Sequence, residues 1–291
     1  MAKRGSSVSR ILSADKMVRS KTLNLLGVQV FRAVAARTLY NRVPVSVEDD
    51  LREKCNELER EGLLVWPDFL PSHEFEDILR ECHNLLNGSS NFRSRNSGPN
   101  TDSRLPVKNI DADLIPFTNR LLTDRRLKLI LAAAERRDID DLASLAKIEH
   151  LTQGLGEEGL DPQTQLHSDI FFNSHKVWYY LTDVTAEHGP LCFVKGSHRI
   201  TPRQLLHVYT HSWKLNEEDD RSRRVTSAEM AKNAFDETTL ICRRNTLVIA
   251  NTCGYHRRRQ GKAGRQRLAI HLELRAKNPF QLAQTSTALM N

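Results

Sequence analysis

Apolar positions change their period about halfway along the chain, from helical in the first half to strand-like in the second. Residues 47–61 open on Glu48, Asp49 and Asp50, acids that suit the positive end of a helix dipole. The stretch EGLLVWPDFLPSHEFEDILRECHNLL (61–86) predicts a short strand, a Pro-containing turn and an amphipathic helix. Residues 87–108 are dense in Asn, Ser, Gly and Pro without an apolar period, which predicts a long loop. Residues 122–147 read as helix, broken near Asp138, before a short strand from Lys147 to Thr152. An apolar and aromatic run follows, Val177 to Leu181. After a turn-rich break at Glu187, His188, Gly189 and Pro190, a second run spans Leu191 to Val194, and together they predict a hairpin-like strand pair. NTLVIAN (245–251) reads as a buried strand. RLAIHLELR (267–275) alternates strictly, with Leu268, Ile270, Leu272 and Leu274 on one face and Arg267, Ala269, His271 and Glu273 on the other. Residues 212–238 are polar and read as a surface excursion between strands.

Charge separates the N-terminus from the rest. Residues 1–45 hold nine Lys or Arg against the single acid Asp15, a net +8 in a chain whose total is +7. The remaining 246 residues therefore carry about −1, so the body is not a basic protein. Within this arm Leu23, Leu26, Val30, Val34 and Phe31 recur at helical spacing among basic residues, which predicts a basic amphipathic helix. Three roles are open to it: a helix packed on the body, peripheral contact with an anionic membrane, or a mitochondrial-type presequence. Nucleic-acid binding is not expected, because no binding motif accompanies the charge. The five cysteines are scattered without a Cys-x-x-Cys pair, which argues against a disulfide framework and a zinc knuckle. No run of eighteen apolar residues is present to form a spanning helix. The expected location is cytoplasmic, with membrane association or mitochondria as alternatives, and the sequence leaves the oligomeric state open.

Candidate chemistry begins at His167-Ser168-Asp169, where residues i and i+2 of a strand project from one face and can share an ion. Much further on stand His256 and, eleven positions later, Arg267. Two His and one carboxylate with open coordination positions describe the facial site of non-haem Fe(II) oxygenases. A lone His-x-Asp is weak in a chain with eleven His, and the ordered ensemble is what raises it.

With LHSD (166–169), the block DVTAEHGPLCFVKGSHR (183–199) and the His256/Arg267 interval, the chain resembles the phytanoyl-CoA dioxygenase family of Fe(II)/2-oxoglutarate oxygenases over about residues 55–280. The resemblance implies an all-β core with flanking helices: a double-stranded β-helix, or cupin-like jelly roll, with an N-terminal helical extension. It divides the chain into an arm, 1–45, and an oxygenase domain, 46–291, whose jelly-roll core spans about 145–280. It also implies Fe(II) held by His167, Asp169 and His256, with 2-oxoglutarate and O2 completing the site. Arg267 would grip the remote carboxylate of 2-oxoglutarate with a bidentate fork, Arg265 being the nearest rival. Gln165 is a weaker expectation for 2-oxoglutarate or substrate contact, and His175, Trp178 and His271 for the substrate. The implied reaction hydroxylates a small or lipid-like substrate while 2-oxoglutarate is decarboxylated to succinate. Asp169 itself supports this, since related halogenases carry a small residue there. Two alternatives remain: a cupin-type metalloenzyme without 2-oxoglutarate, and an inactive binding scaffold.

Overall fold

The computed structural model describes residues 11–88, 91–156, 161–214, 223–233, 236–274 and 278–280. The helices of the N-terminal half, in chain order, are α1 (Lys21–Leu25), α2 (Val28–Arg42) and α3 (Arg52–Glu61), followed after strand β1 (Leu63–Trp66) by α4 (Ser72–Gly88). Strands β2 (Arg93–Ser97) and β3 (Asn100–Pro106) precede α5 (Pro116–Leu122) and α6 (Arg125–Glu135). Then come β4 (Ala146–Thr152), β5 (His167–Ser168), β6 (His175–Tyr180), β7 (Leu191–Val194) and α7 (Pro202–Lys214). The last elements are β8 (Arg223–Arg224), α8 (Ser227–Asn233), β9 (Glu237–Thr239), β10 (Thr246–Asn251), β11 (His256–Arg258) and β12 (Gln266–Glu273).

Two antiparallel sheets face each other. The larger runs β1-β10-β6-β12-β4-β3-β2 and the smaller β8-β5-β11-β7-β9. Parity along β12 sets the layers. Leu268, Ile270, Leu272 and Leu274 point away from the smaller sheet, into a core shared with Leu58 of α3, Ile78 of α4 and Ile130 of α6. The opposite parity packs between the sheets, where Ala269 meets Trp178, Tyr180, Phe193 and Val248. Burying each aliphatic side chain contributes roughly 2 kcal/mol. A one-residue slip would move all four to the opposite face, so the register is strongly specified.

Four expectations change. Runs 177–181 and 191–194 are not a hairpin. Both edges of β6 are already taken, by β10 and β12, so β7 crosses to the smaller sheet and pairs with β11 and β9. Residues 87–108 are not a long loop but carry the hairpin β2–β3, whose β3 pairs in register with β4. Its strand character escapes the apolar pattern because its inward side chains include Asp102 and Arg104. The excursion at 212–238 supplies β8, the partner of β5, and β9, although 215–222 and 234–235 fall outside the described residues.

The fourth change concerns the arm, whose described part starts at residue 11. Its helices do pack on the body, yet with the polar side inward. Asn24 donates to the carbonyls of Val18 (2.7 Å) and Ser212 (2.9 Å). Arg32 is fully buried, donating to Gln29 Oε1 (2.7 Å) and to the carbonyls of Ser13 (2.9 Å) and Asp15 (2.8 Å). Its guanidinium also lies 4.3 Å from the Phe171 ring centroid. Burial lowers its pKa to about 10, which leaves it charged at neutral pH. Hydrogen bonding thus overrides the predicted apolar stripe, and Leu26, Phe31 and Val34 face outward.

Candidate metal centre and co-substrate cavity

His167 and His256 are register partners in the β5–β11 ladder, so the smaller sheet itself brings their rings together. The ring centroids are 4.6 Å apart. Asp169 lies just past β5, anchored by its N–H donating to the Thr252 carbonyl at 2.9 Å. One oxygen of its carboxylate is 3.6 Å from His167 Nε2 and the other 3.7 Å from His256 Nε2. Donor atoms from all three lie within 4.8 Å of one another, which makes them the one cluster of this kind among the described residues.

Protonation suits a metal. His167 Nδ1 is 2.7 Å from the Gln165 carbonyl and His256 Nδ1 is 3.0 Å from the Gly254 carbonyl. A carbonyl only accepts, so each Nδ1 carries the proton and each Nε2 lone pair faces Asp169. Burial pushes the His256 imidazole down to about 3 and lowers His167 as well, which keeps both rings neutral. Burial opposes the Asp169 charge, but His256, the Lys176 ammonium and His167 hold its carboxyl well below the usual range. Two neutral imidazole nitrogens and one anionic oxygen, open to solvent on the Asp169 side, are a donor set that fits Fe(II).

Behind the pair of histidines, between the sheets, is a cavity of about 80 Å³ lined by both rings with Trp178, Tyr180, Glu149 and Arg267. Arg267 is buried there, donating to the Gly189 carbonyl, 5.6 Å from the Tyr180 ring centroid and 3.7 Å from Glu149. The buried Glu149 also lies 3.3 Å from Arg104 and 3.3 Å from His271. Burial opposes its ionisation, but His271, Arg104 and Arg267 hold the carboxyl well below its ordinary value. Arg104 in turn is held by Asp102, with Nε donating at 2.9 Å.

The same geometry places the remaining candidates. Arg267, not Arg265, belongs to the cavity, since Arg265 is exposed and pairs with Glu187 at 2.8 Å. Trp178 lines it, stacked on His271 at 4.9 Å with an interplanar angle of 8°. His175 is corrected: it has the opposite parity on β6, faces the helix layer and meets Glu135 Oε1 at 2.8 Å. Gln165 is corrected too. Its side chain is exposed, only its carbonyl serves His167, and Gln163 lines the cavity instead. The basic run at 256–259 is largely neutralised, Arg257 by Glu237 at 2.9 and 3.0 Å and Arg258 by Asp161. His188 and His198 hold turns and loops, bonding Thr185 and the Glu59 carbonyl.

Sequence reading missed Lys176, whose Nζ is 2.7 Å from Asp169 Oδ2, and the Glu149/Arg104 pair. Strand parity held the signal: Lys176, Trp178 and Tyr180 share a face, and Glu149 pairs with Ala269 across the ladder. By orienting a ligand carboxylate, Lys176 takes a role whose loss usually costs 10–100-fold in metal affinity. Lys176→Met is therefore expected to weaken Co(II) binding about tenfold in anaerobic titration. Unchanged affinity would show that the Thr252 contact alone orients Asp169.

The phytanoyl-CoA dioxygenase (PhyH) family model matches residues 58–232. The chain belongs to this family. The PhyH match contains His167 and Asp169 and ends before His256 and Arg267, which the fold delivers. Among solved structures, EctD from S. alaskensis in its apoform is 13% identical over 82% of this chain and 84% of that one, with a TM-score of 0.50, and shares the fold. HygX from Streptomyces hygroscopicus with nickel and 2-oxoglutarate bound is 19% identical over 78% and 87%, with a TM-score of 0.49. The epimerase SnoN, in complex with Fe3+, alpha ketoglutarate and nogalamycin RO, is 20% identical over 77% and 83%, also at 0.49. No curated protein matches the chain. As a PhyH member the chain is an oxygenase-type enzyme that uses Fe(II), 2-oxoglutarate and O2.

Proposed function

We propose that this enzyme hydroxylates a small or lipid-like organic molecule, with His167, Asp169 and His256 holding the iron and Arg267 the remote carboxylate of 2-oxoglutarate. The observation that carries the reading is the cluster of His167, Asp169 and His256, whose two histidines also line the cavity in which Arg267 is buried. Bound together, iron, 2-oxoglutarate and O2 supply an oxidant strong enough to attack a C–H bond. The chain's own residues do the placing. His167 and His256 are fixed by their Nδ1–H bonds, so little reorganises when a cation arrives. Asp169 supplies the single negative charge, with Lys176 restraining one oxygen. Arg267 is buried, and a charge-assisted fork to a carboxylate is stronger there than in bulk water. The Asp169 carboxylate fills the position that a halide would need, which supports hydroxylation over halogenation. Retention of all four residues speaks against an inactive scaffold.

Anaerobically reconstituted enzyme, supplied with 2-oxoglutarate and a fractionated cell extract and then exposed to air, is expected to form succinate and a product heavier than its precursor by one oxygen atom. Mass spectrometry with 18O2 reads the incorporation. Succinate formed with a product of unchanged mass would overturn hydroxylation in favour of a rearrangement such as epimerisation.

A further inference from the structure

The inverted packing of the arm leaves a surface that the catalytic reading does not use. Leu25 and Leu26, at the α1–α2 turn, are 56% and 76% exposed, and Phe31 on α2 is 60% exposed. Leu206 on α7 is 64% exposed, one helical turn from Tyr209, whose hydroxyl donates to the Leu25 carbonyl at 3.0 Å. These side chains are not core residues in search of a core. The inward sides of α1 and α2 are already occupied by Asn24, Gln29, Arg32, Ala33 and Ala36. The platform is also fixed to the body, by the Asn24–Ser212 bond (2.9 Å) and by Ala33 and Ala36 against Phe171 and Phe172.

Charge along these helices has one sign. No Asp or Glu occurs from Lys16 to Val47, which contains α1 and α2, or from His188 to Asn216, which contains α7. Exposed Lys16, Arg19, Lys21, Arg42, Arg203 and Lys214 lie within the same two stretches. We propose that the outward face of α1, α2 and α7 docks on an anionic phospholipid bilayer. Exposed Leu and Phe beside Lys and Arg match an interface whose acyl boundary takes apolar side chains while its headgroups attract cations. A second copy of the chain fits less well, because an isologous contact would press two cationic faces together. The same elements reach the metal centre: Lys16, Met17, Gln29 and Val208 wall a small cavity that contains Asp169. Docking at this face does not depend on which oxidation the site performs.

The full chain is expected to co-sediment with phosphatidylcholine vesicles containing phosphatidylserine, and about tenfold less with phosphatidylcholine alone. Raising the salt concentration should release it, since the Debye length shortens. The double variant Leu26→Ser/Phe31→Ser should lower the bound fraction about tenfold, and Leu206→Ser, from the other helix, should act in the same direction. Unchanged Tm and Co(II) binding in these surface variants exclude misfolding. Equal, negligible sedimentation with both vesicles would overturn the proposal. So would phosphatidylserine binding that ignores the apolar substitutions, or a concentration-dependent dimer that Leu26→Ser/Phe31→Ser abolishes while vesicles are left untouched.

Discussion

Asp169→Ala is expected to abolish iron-dependent succinate formation and to leave the metal-free protein folded. The carboxylate is the one anionic member of the cluster, and its two oxygens face His167 and His256 separately. Its removal leaves two neutral imidazoles, and metal affinity should fall more than about 100-fold, beyond the cost of losing a group that merely orients a ligand. Folding has little at stake. Asp169 is partly exposed, and Lys176 keeps Glu273 3.9 Å away, so the stability change without metal should stay within about 1 kcal/mol. The two effects separate in a melting experiment. Wild-type protein at a Co(II) concentration a hundredfold above Kd should gain about 2.7 kcal/mol, and the variant should gain nothing. A variant that still gained metal-dependent stability would remove Asp169 from the ligand set.

Arg267→Ala has the opposite signature, with metal binding intact, 2-oxoglutarate binding lost and the fold weakened. Removing one partner of a desolvated, charge-assisted pair costs roughly 2–5 kcal/mol, so affinity for 2-oxoglutarate should fall by about a hundredfold or more. The fold suffers because Glu149 keeps its charge in an enclosed position. Breaking a buried pair completely costs about 3–5 kcal/mol. Arg104 and His271 stay 3.3 Å from Glu149, so about 2 kcal/mol is expected in urea denaturation, less than that range. Glu149→Gln in the same background should recover part of this stability without restoring 2-oxoglutarate binding. If 2-oxoglutarate bound equally well to Arg267→Ala, the cavity would belong to another ligand.

How legible each part was in the sequence depended on what its side chains face. Strands β6, β10 and β12 pack apolar residues against the helix layer, so their alternation or apolar runs survive in the sequence. β3 turns Asp102 and Arg104 into the cavity behind the histidines, and a strand with charges on its buried side looks like a loop. The arm misled in the other direction. Its apolar spacing is genuine, but Asn24 bonds the Ser212 carbonyl of the body while Gln29 and Arg32 are satisfied by one another and by backbone of the arm itself, so the polar face is the one buried. Periodicity reports which residues share a face of a helix, and it does not say which face turns inward.

By itself the sequence determined which candidate donors the chain offers: His167 and Asp169 two positions apart, with His256 and Arg267 following in the order the family resemblance implies. It also determined that the second half forms strands, because alternation in a stretch such as 267–275 suits no helix. Tertiary structure alone decided that His256 stands directly across from His167, that β7 leaves β6 for the other sheet, and that His175 turns away while Lys176 turns in. These outcomes depend on which strands pair. Pairing is settled by competition among edges distant in sequence, and no local pattern records that competition.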